Sequence, residues 1–138
     1  MQARTILLIE DEENDVFLFR RALSVLGFEG NVRILRTIKQ AREYLAGQNE
    51  FSKRDYYAIP DLIVSDMQSM SESAVQLLRW LRKRPELPDL PVVVLSSSMT
   101  SAQRDSLVAE GAAAAYQKTG DFTAMKDLVA QILNHLAK

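Results

Sequence analysis

The sequence predicts a doubly wound α/β fold, in which helices cover both faces of a five-stranded parallel sheet. Five short apolar runs alternate with five segments whose apolar residues recur at helical spacing, and turn-forming residues separate them. The apolar runs are largely continuous, which is typical of strands buried on both faces. The predicted strands are Thr5 to Ile9, Val32 to Leu35, Leu62 to Val64, Val92 to Leu95 and Ala112 to Gln117.

Start and stop signals bound the predicted helices. A Ser, Thr, Asp or Asn side chain at a helix start accepts a hydrogen bond from a free backbone N–H, and Gly tolerates the left-handed conformation at a helix end. The aromatic residues Phe51, Tyr56 and Tyr57, in a long connection, are expected to pack over the sheet edge, the alternative being exposure for a partner. We expect helix starts at Asn14 or Asp15, at Thr37, after Ser71 to Ser73, at Thr100 and at Asp121, and helix ends at Gly27, at Gly47, near Pro85 and at Gly111.

The composition is that of one globular domain. The chain has 138 residues, of which 47% are hydrophobic and 25% charged. We expect a single domain over residues 1–138, with no output domain after the last helix. The 17 basic and 18 acidic residues leave a formal net charge of −1, which gives no reason to expect nucleic acid or a membrane as a partner.

The residue content also argues against several kinds of site. The sequence has no cysteine and one histidine, His135, so we expect no disulfide, no thiolate chemistry and no histidine-based metal site or catalytic triad. No apolar run approaches the roughly 20 residues of a membrane span, and the stretch after Met1 to Arg4 is too short for a signal peptide. We therefore expect a cytoplasmic protein.

Charged and polar side chains follow four of the predicted strands at the point where each strand ends. Glu10 and Asp11 follow the first strand, Asp66 the third, Ser96 the fourth and Lys118 the fifth. Right-handed crossovers bring these ends to one edge of a parallel sheet, so the side chains can converge. By itself Asp66 would be read as a loop-forming or helix-capping acid. The matching chemistry at the other strand ends favours a shared site.

The convergent groups have the chemistry of a phosphoryl-transfer site. Three carboxylates repel one another unless a cation offsets them, and an all-oxygen set of ligands suits Mg²⁺. Lys118 supplies a fixed positive charge and Ser96 a hydroxyl donor, which together can hold a tetrahedral anion on Asp66. A carboxylate nucleophile needs no general base, because it is already ionised at neutral pH.

The ordered set of strand-end residues resembles the receiver domain of two-component response regulators, the CheY-like type, over about Thr5 to Leu136. The resemblance implies the strand order 2-1-3-4-5. It also implies a regulator, not a conventional enzyme, that accepts a phosphoryl group from a sensor histidine kinase or phosphotransfer protein and switches a protein-interaction surface. The implied roles are Asp66 as phosphoacceptor, Glu10, Asp11, Asp66 and the backbone carbonyl of Gln68 as Mg²⁺ ligands, Ser96 as switch hydroxyl and Lys118 as partner of the phosphoryl group.

Three further stretches resemble one subfamily of receiver domains, the stand-alone regulators that are paired with bacterial phytochromes. These stretches are Glu43 to Leu45, Tyr57 to Leu62 and Trp80 to Arg82. The resemblance allows a homodimer through the last helices and the last strand.

Two other functions fit the sequence less well. A haloacid-dehalogenase type of phosphatase normally has a second acid where this chain has Gln68, and a flavodoxin-like nucleotide binder has a Gly-rich loop that this chain lacks.

Several positions depart from the family pattern, and they leave a second function open. The family usually has a Pro, then an Asp-Gly pair, after the phosphoacceptor, an aromatic residue three places before the lysine, and a cis-proline after it. Without that proline, we expect a trans peptide bond after the lysine. The alternative is a degenerate receiver that acts as a phosphorylation-independent interaction module. The residues at these places are Met70, Ser73 and Ala74, Ala115 (with Tyr116 on the opposite face of the strand) and Thr119.

Overall fold

A parallel sheet of five strands forms the centre of the computed structural model, which describes residues 3–69 and 72–136. In space the strands lie in the order β2-β1-β3-β4-β5, and every neighbouring pair is parallel. The predicted fold class and strand order are therefore confirmed. The strands are β1 (Thr5–Ile9), β2 (Asn31–Leu35), β3 (Leu62–Asp66), β4 (Val92–Ser96) and β5 (Ala114–Gln117).

Five α-helices connect the strands or follow the last one, as predicted. A 3₁₀ turn (Asn49–Ser52) follows the second helix, and a short antiparallel pair joins Gln68–Ser69 to Glu72–Ser73 before the third. Met70 and Ser71, on which two expectations rest, lie outside the described residues. No helix within the described ranges combines the length and hydrophobicity needed to cross a membrane. The helices are α1 (Glu13–Val25), α2 (Ile38–Ala46), α3 (Ala74–Arg82), α4 (Ser101–Ala109) and α5 (Phe122–Leu133).

Both faces of the sheet are buried, which explains the continuous apolar runs. Successive side chains of a strand point to opposite faces, so one run must satisfy two cores. In β1, Leu7 and Ile9 pack against α2, α3 and α4, whereas Ile6 and Leu8 pack against α1 and α5. The C-terminal ends of the strands therefore lie between two layers of helices.

Most of the predicted helix caps are confirmed, and that of α1 is wrong. The hydroxyl of Thr37 accepts a hydrogen bond from the N–H of Gln40, and a carboxylate oxygen of Asp121 accepts one from the N–H of Ala124. Helix α1 instead begins at Glu13, after a cap residue, Glu12, that makes no side-chain capping hydrogen bond. Asn14 and Asp15 lie within the first turn. Another confirmed cap is the reciprocal pair of Thr100 and Gln103 at α4.

An aromatic cluster closes the edge of the sheet beside α2. The ring of Tyr44 is fully buried and lies 5.1 Å from that of Phe51 and 5.9 Å from that of Tyr57, and its hydroxyl donates to the carbonyl of Ala58 at 2.8 Å. The packing expected of Phe51 and Tyr57 is confirmed. Tyr56 remains 60% exposed and stacks on the guanidinium of Arg33.

The cluster predicts the effect of removing one hydroxyl. Tyr44→Phe deletes the donor to the Ala58 carbonyl, so we expect the free energy of unfolding in urea to fall by about 1 kcal/mol. Tyr56→Phe, at a residue that is 60% exposed, is the matched control and should change the free energy of unfolding by less than about 0.5 kcal/mol. Equal effects in the two variants would contradict a structural role for the buried hydroxyl.

Candidate functional site

The ladder hydrogen bonds of the sheet place the candidate residues at one edge. The N–H of Glu10 donates to the carbonyl of Leu35 at 2.8 Å, which extends the β1–β2 ladder one residue beyond the strand. On the other side, the N–H of Lys118 donates to the carbonyl of Ser96 at 2.7 Å. Asp66 is the last residue of β3, which lies between β1 and β4. The predicted convergence of strand ends therefore takes place.

Three carboxylates come together at this edge. Glu10, Asp11 and Asp66 each have a carboxylate oxygen within 4.8 Å of the others. Glu10 is buried, Asp66 is half-buried and Asp11 is exposed, so the cluster is open to solvent on one side. Octahedral Mg²⁺ with ligands at about 2.1 Å separates its oxygens by at most about 4.2 Å, close to the spacing seen. The acidic cluster is compatible with a divalent cation.

The ammonium group of Lys118 is buried among carboxylates. Its Nζ lies 2.7 Å from an oxygen of Glu10, 3.0 Å from one of Asp15 and 3.3 Å from one of Asp66. The side chain of Lys118 is 14% exposed. Of these three ion-pair partners, Asp15 accepts a hydrogen bond from the ammonium group.

Asp15 is a member of the site that the sequence analysis missed. It was assigned to helix capping, because a polar residue just before an apolar helical pattern usually caps. Its side chain instead reaches across to Lys118, a residue 103 positions later in the chain. The excess of acids between Glu10 and Asp15, more than a helix start requires, was the signal in the sequence.

Burial and charge act in opposite directions on the ionisable groups. Burial raises the pKa of Glu10 above its ordinary value, although hydrogen bonds from Lys118 and from the N–H of Glu12 oppose the increase. Burial also raises the pKa of Asp66, against the attraction of Lys118. Burial alone would lower the pKa of Lys118, but its hydrogen bonds to Glu10 and Asp15 outweigh that effect and raise it. The ammonium therefore stays charged, while the two carboxylates hold their negative charge at a cost.

Ser96 and Gln68 lie where the prediction requires, although their roles stay predictions. Ser96 follows Leu95, whose backbone is in register with Asp66, and no described residue shares a hydrogen bond with its hydroxyl. Gln68 pairs with Ser73 in the short antiparallel ladder, and the carbonyl of Met67 accepts from the N–H of Ala74 at 2.9 Å. These bonds join the described residues on either side of positions 70 and 71.

The altered positions near Lys118 are also defined. Ala115 is buried beneath α4, and its carbonyl accepts from the Arg104 side chain at 3.0 Å. Tyr116 packs on the other face, as predicted, where its hydroxyl lies 2.9 Å from Nε2 of His135. No peptide bond within the described residues is cis, so the bond between Lys118 and Thr119 is trans as expected.

Comparison with curated proteins identifies the family. No protein-family model matches the sequence. The chain is 32% identical over 93 residues to the probable methanogenesis regulatory protein FilR2 of Methanothrix harundinacea, covering 67% of this chain and 57% of that protein. It is 33% identical over 107 residues to the phosphate regulon transcriptional regulatory protein PhoB of Rhizobium meliloti, covering 78% and 42%. The chain thus spans about half the length of these two relatives. Response regulator Rcp1 of Synechocystis is 29% identical over 106 residues, covering 77% of this chain and 68% of Rcp1.

Solved structures agree with the sequence relatives. The bacteriophytochrome response regulator RtBRR has a TM-score of 0.80 at 25% identity, covering 100% of this chain and 80% of that one. The response regulator RPA3017, from red light signalling in R. palustris, has a TM-score of 0.88, and at 19% identity it supports the fold alone. The chain belongs to the receiver domains of response regulators. Its relatives are regulators of two-component systems, and receiver domains are not classical enzymes.

The charge balance predicts how the metal-free protein responds to loss of Asp66. Because folding raises the pKa of Asp66, its ionised form costs folding free energy at neutral pH, and the cost disappears below about pH 4, where the carboxyl is protonated in both states. In the presence of a chelator, Asp66→Asn should therefore match or exceed the melting temperature of the wild type at neutral pH, and any gain should vanish at low pH.

A second aspartate provides the control for that measurement. Asp61→Asn weakens the hydrogen bond that Asp61 accepts from the N–H of Thr5 at 2.8 Å, so it should lower the melting temperature. A clear fall in the melting temperature of metal-free Asp66→Asn would mean that Asp66 is a structural acid.

Proposed function

We propose that this protein is a phosphoacceptor response regulator that takes a phosphoryl group onto Asp66 with the help of Mg²⁺. The observation that supports this most directly is the position of Asp66 between the ammonium group of Lys118 and two further acids. One of its oxygens lies 3.3 Å from Nζ of Lys118, and the carboxylates of Glu10 and Asp11 lie beside it. A structural aspartate would not need two neighbouring carboxylates that repel it.

The proposed reaction needs no group beyond the donor, the cation and the residues of the site. A carboxylate oxygen of Asp66 attacks the phosphorus of a phosphohistidine on a sensor kinase or phosphotransfer protein. The P–O bond to Asp66 forms as the P–N bond breaks, and the imidazole nitrogen leaves with the electron pair. Water later attacks the same phosphorus, the P–O bond to Asp66 breaks, and inorganic phosphate is released. Lys118 offsets the negative charge of the transferring group, and the hydroxyl of Ser96 donates a hydrogen bond to it.

Glu10, Asp11, Asp66 and the carbonyl of Gln68 are the proposed Mg²⁺ ligands. The oxygen-only donor set and the spacing of the three carboxylates support this choice. A solved structure of Rcp1, with a TM-score of 0.80 at 24% identity, is described as the Mn²⁺-bound form of that regulator. When bound, the cation supplies charge neutralisation for the phosphoryl oxygens.

The proposed partners follow from the relatives. Solved structures similar to this chain include the bacteriophytochrome regulators RtBRR and AtBRR, so a sensor kinase of the phytochrome type is the first phosphodonor to test. We propose that residues 1–138 act as one receiver domain in the cytoplasm. The output surface comprises α4, β5 and α5, through which a target protein or a second copy of the chain binds.

One observation favours the alternative, a degenerate receiver that binds partners without phosphorylation. Ala115 is buried where the family usually has a mobile aromatic side chain, and its methyl group has no rotamers to exchange. Tyr116 faces the other side of the sheet and is held by His135. This alternative predicts that the interaction surface does not respond to the state of Asp66.

Labelling with acetyl phosphate tests both the phosphoacceptor and the metal ligands. We expect the wild type to gain one phosphoryl group in the presence of Mg²⁺, as measured by intact mass, and Asp66→Asn to gain none. Asp11→Asn should reduce the labelling rate at least about tenfold while leaving the circular dichroism spectrum unchanged. Glu12→Gln removes an exposed neighbouring charge outside the acidic cluster and should label like the wild type. Unchanged labelling of Asp11→Asn would refute its assignment as a ligand.

Amide NMR with beryllofluoride and Mg²⁺ separates the two functions. Because the chain has no aromatic switch residue, the conformational change caused by beryllofluoride should pass from the Ser96 hydroxyl into residues 97–111. These residues form the following loop and α4. We expect amide shifts throughout that segment in the wild type. In Ser96→Ala, shifts should remain around Asp66 and be lost from α4. Shifts confined to the metal and phosphoryl ligands in the wild type would favour the degenerate receiver.

A further inference from the structure

Lys118 has one carboxylate partner that does not belong to the acidic cluster. Asp15 Oδ2 lies 3.0 Å from Nζ, whereas the carboxylates that share the candidate metal position are Glu10, Asp11 and Asp66. We propose that Asp15 is a positioning residue, which anchors the ammonium group of Lys118 beside Asp66 while the cation and the phosphoryl group bind and leave. This inference rests on the proposed function and concerns the regulation of the same site.

The hydrogen-bonding capacity of Lys118 explains why such an anchor matters. Its Nζ forms ion pairs with three carboxylates, of which Asp15 accepts a hydrogen bond. In the proposed cycle, the other two carboxylates, those of Glu10 and Asp66, change their charge environment. A cation beside Glu10 weakens the attraction between Glu10 and Lys118, and phosphorylation moves the negative charge of Asp66 onto phosphoryl oxygens. Asp15 lies outside the acidic cluster, so in this proposal its contact with Lys118 persists through both events.

The position of Asp15 in the fold suits it to this role. It lies in the first turn of α1, and its side chain is 23% exposed, so the contact is shielded from bulk water. Lysine side chains have many rotamers, and Lys118 directly follows the last residue of β5, Gln117. A second fixed contact restricts the ammonium to positions from which it reaches Asp66, and such restriction is how positioning groups raise reaction rates.

The competing explanation is that Asp15 serves only the dipole of α1. A negative charge in the first turn stabilises any helix, and Glu13 occupies the same turn. Glu13 is exposed, and no described residue pairs with its carboxylate. Glu13→Gln therefore matches Asp15→Asn in charge and in helix position, and differs from it in the contact with Lys118.

The first measurement is the NMR signal of the Lys118 ammonium group in the metal-free protein. An ammonium held by three carboxylates exchanges its protons slowly, so its ¹H–¹⁵N cross-peak should be visible in the wild type and in Glu13→Gln. In Asp15→Asn the cross-peak should broaden or disappear. Asp15→Ala provides a second removal of the carboxylate, and Asp15→Glu should restore part of the signal.

The second measurement is the phosphorylation rate with acetyl phosphate at saturating Mg²⁺. We expect the maximal rate of Asp15→Asn to fall about fivefold to tenfold, within the roughly hundredfold that misplacement of a reacting group can cost. The donor concentration at half-maximal rate should change little, because Asp15 does not contact the donor. Glu13→Gln should stay within twofold of the wild type in both quantities.

The outcomes are distinguishable. The proposal is overturned if Asp15→Asn keeps the Lys118 cross-peak and the wild-type rate, or if Glu13→Gln shows equal losses. Failure of the wild type to be phosphorylated at all would instead refute the proposed function. In that case the ammonium signal of the metal-free protein still decides whether Asp15 anchors Lys118.

Discussion

The buried ammonium group of Lys118 is the interaction on which the candidate site depends. It joins the end of β5 to the ends of β1 and β3 and to the first turn of α1 through contacts of 2.7, 3.3 and 3.0 Å with Glu10, Asp66 and Asp15. Carboxylates held this close and partly out of water repel one another, and without an internal cation the edge of the sheet would be strongly destabilised. One positive charge offsets them only in part. The acidic cluster is therefore compatible with a further, divalent cation.

The acids of the site fall into two groups, the cluster of three carboxylates and Asp15. Glu10, Asp11 and Asp66 lie close enough to share a cation, and the exposure of Asp11 leaves a path for it. Asp15 stands apart from that set and contacts Lys118 alone among the residues of the site. The three acids of the cluster follow β1 or end β3, whereas Asp15 lies in the first turn of α1. Glu10 and Asp66 also contact Lys118. Lys118 is contacted both by members of the acidic cluster and by Asp15.

Two residues of β5, Ala115 and Tyr116, differ from the family pattern, and contacts with neighbouring elements hold both of them. Ala115 is packed tightly, and its carbonyl is tied to α4 through the side chain of Arg104. Tyr116 is tied to His135, beyond the end of α5. Both residues are held in place by neighbours on opposite faces of the sheet. The loop of residues 97–100 then connects Ser96, the last residue of β4, to α4.

The sequence by itself determined the layers, the strand order implied by the family resemblance, and the identity of the chemical groups. These features can be predicted because hydrophobic periodicity, capping residues and acids at strand ends are local patterns in the sequence. For example, Thr37, Thr100 and Asp121 cap their helices as predicted. Tertiary structure decided which acids meet Lys118. Asp15 looked like a cap because its partner is 103 residues away, and that distance closes only when α1 and β5 are both docked on the sheet. The direction of each pKa shift likewise depends on burial and neighbours, which arise from packing and have no local signature in the chain.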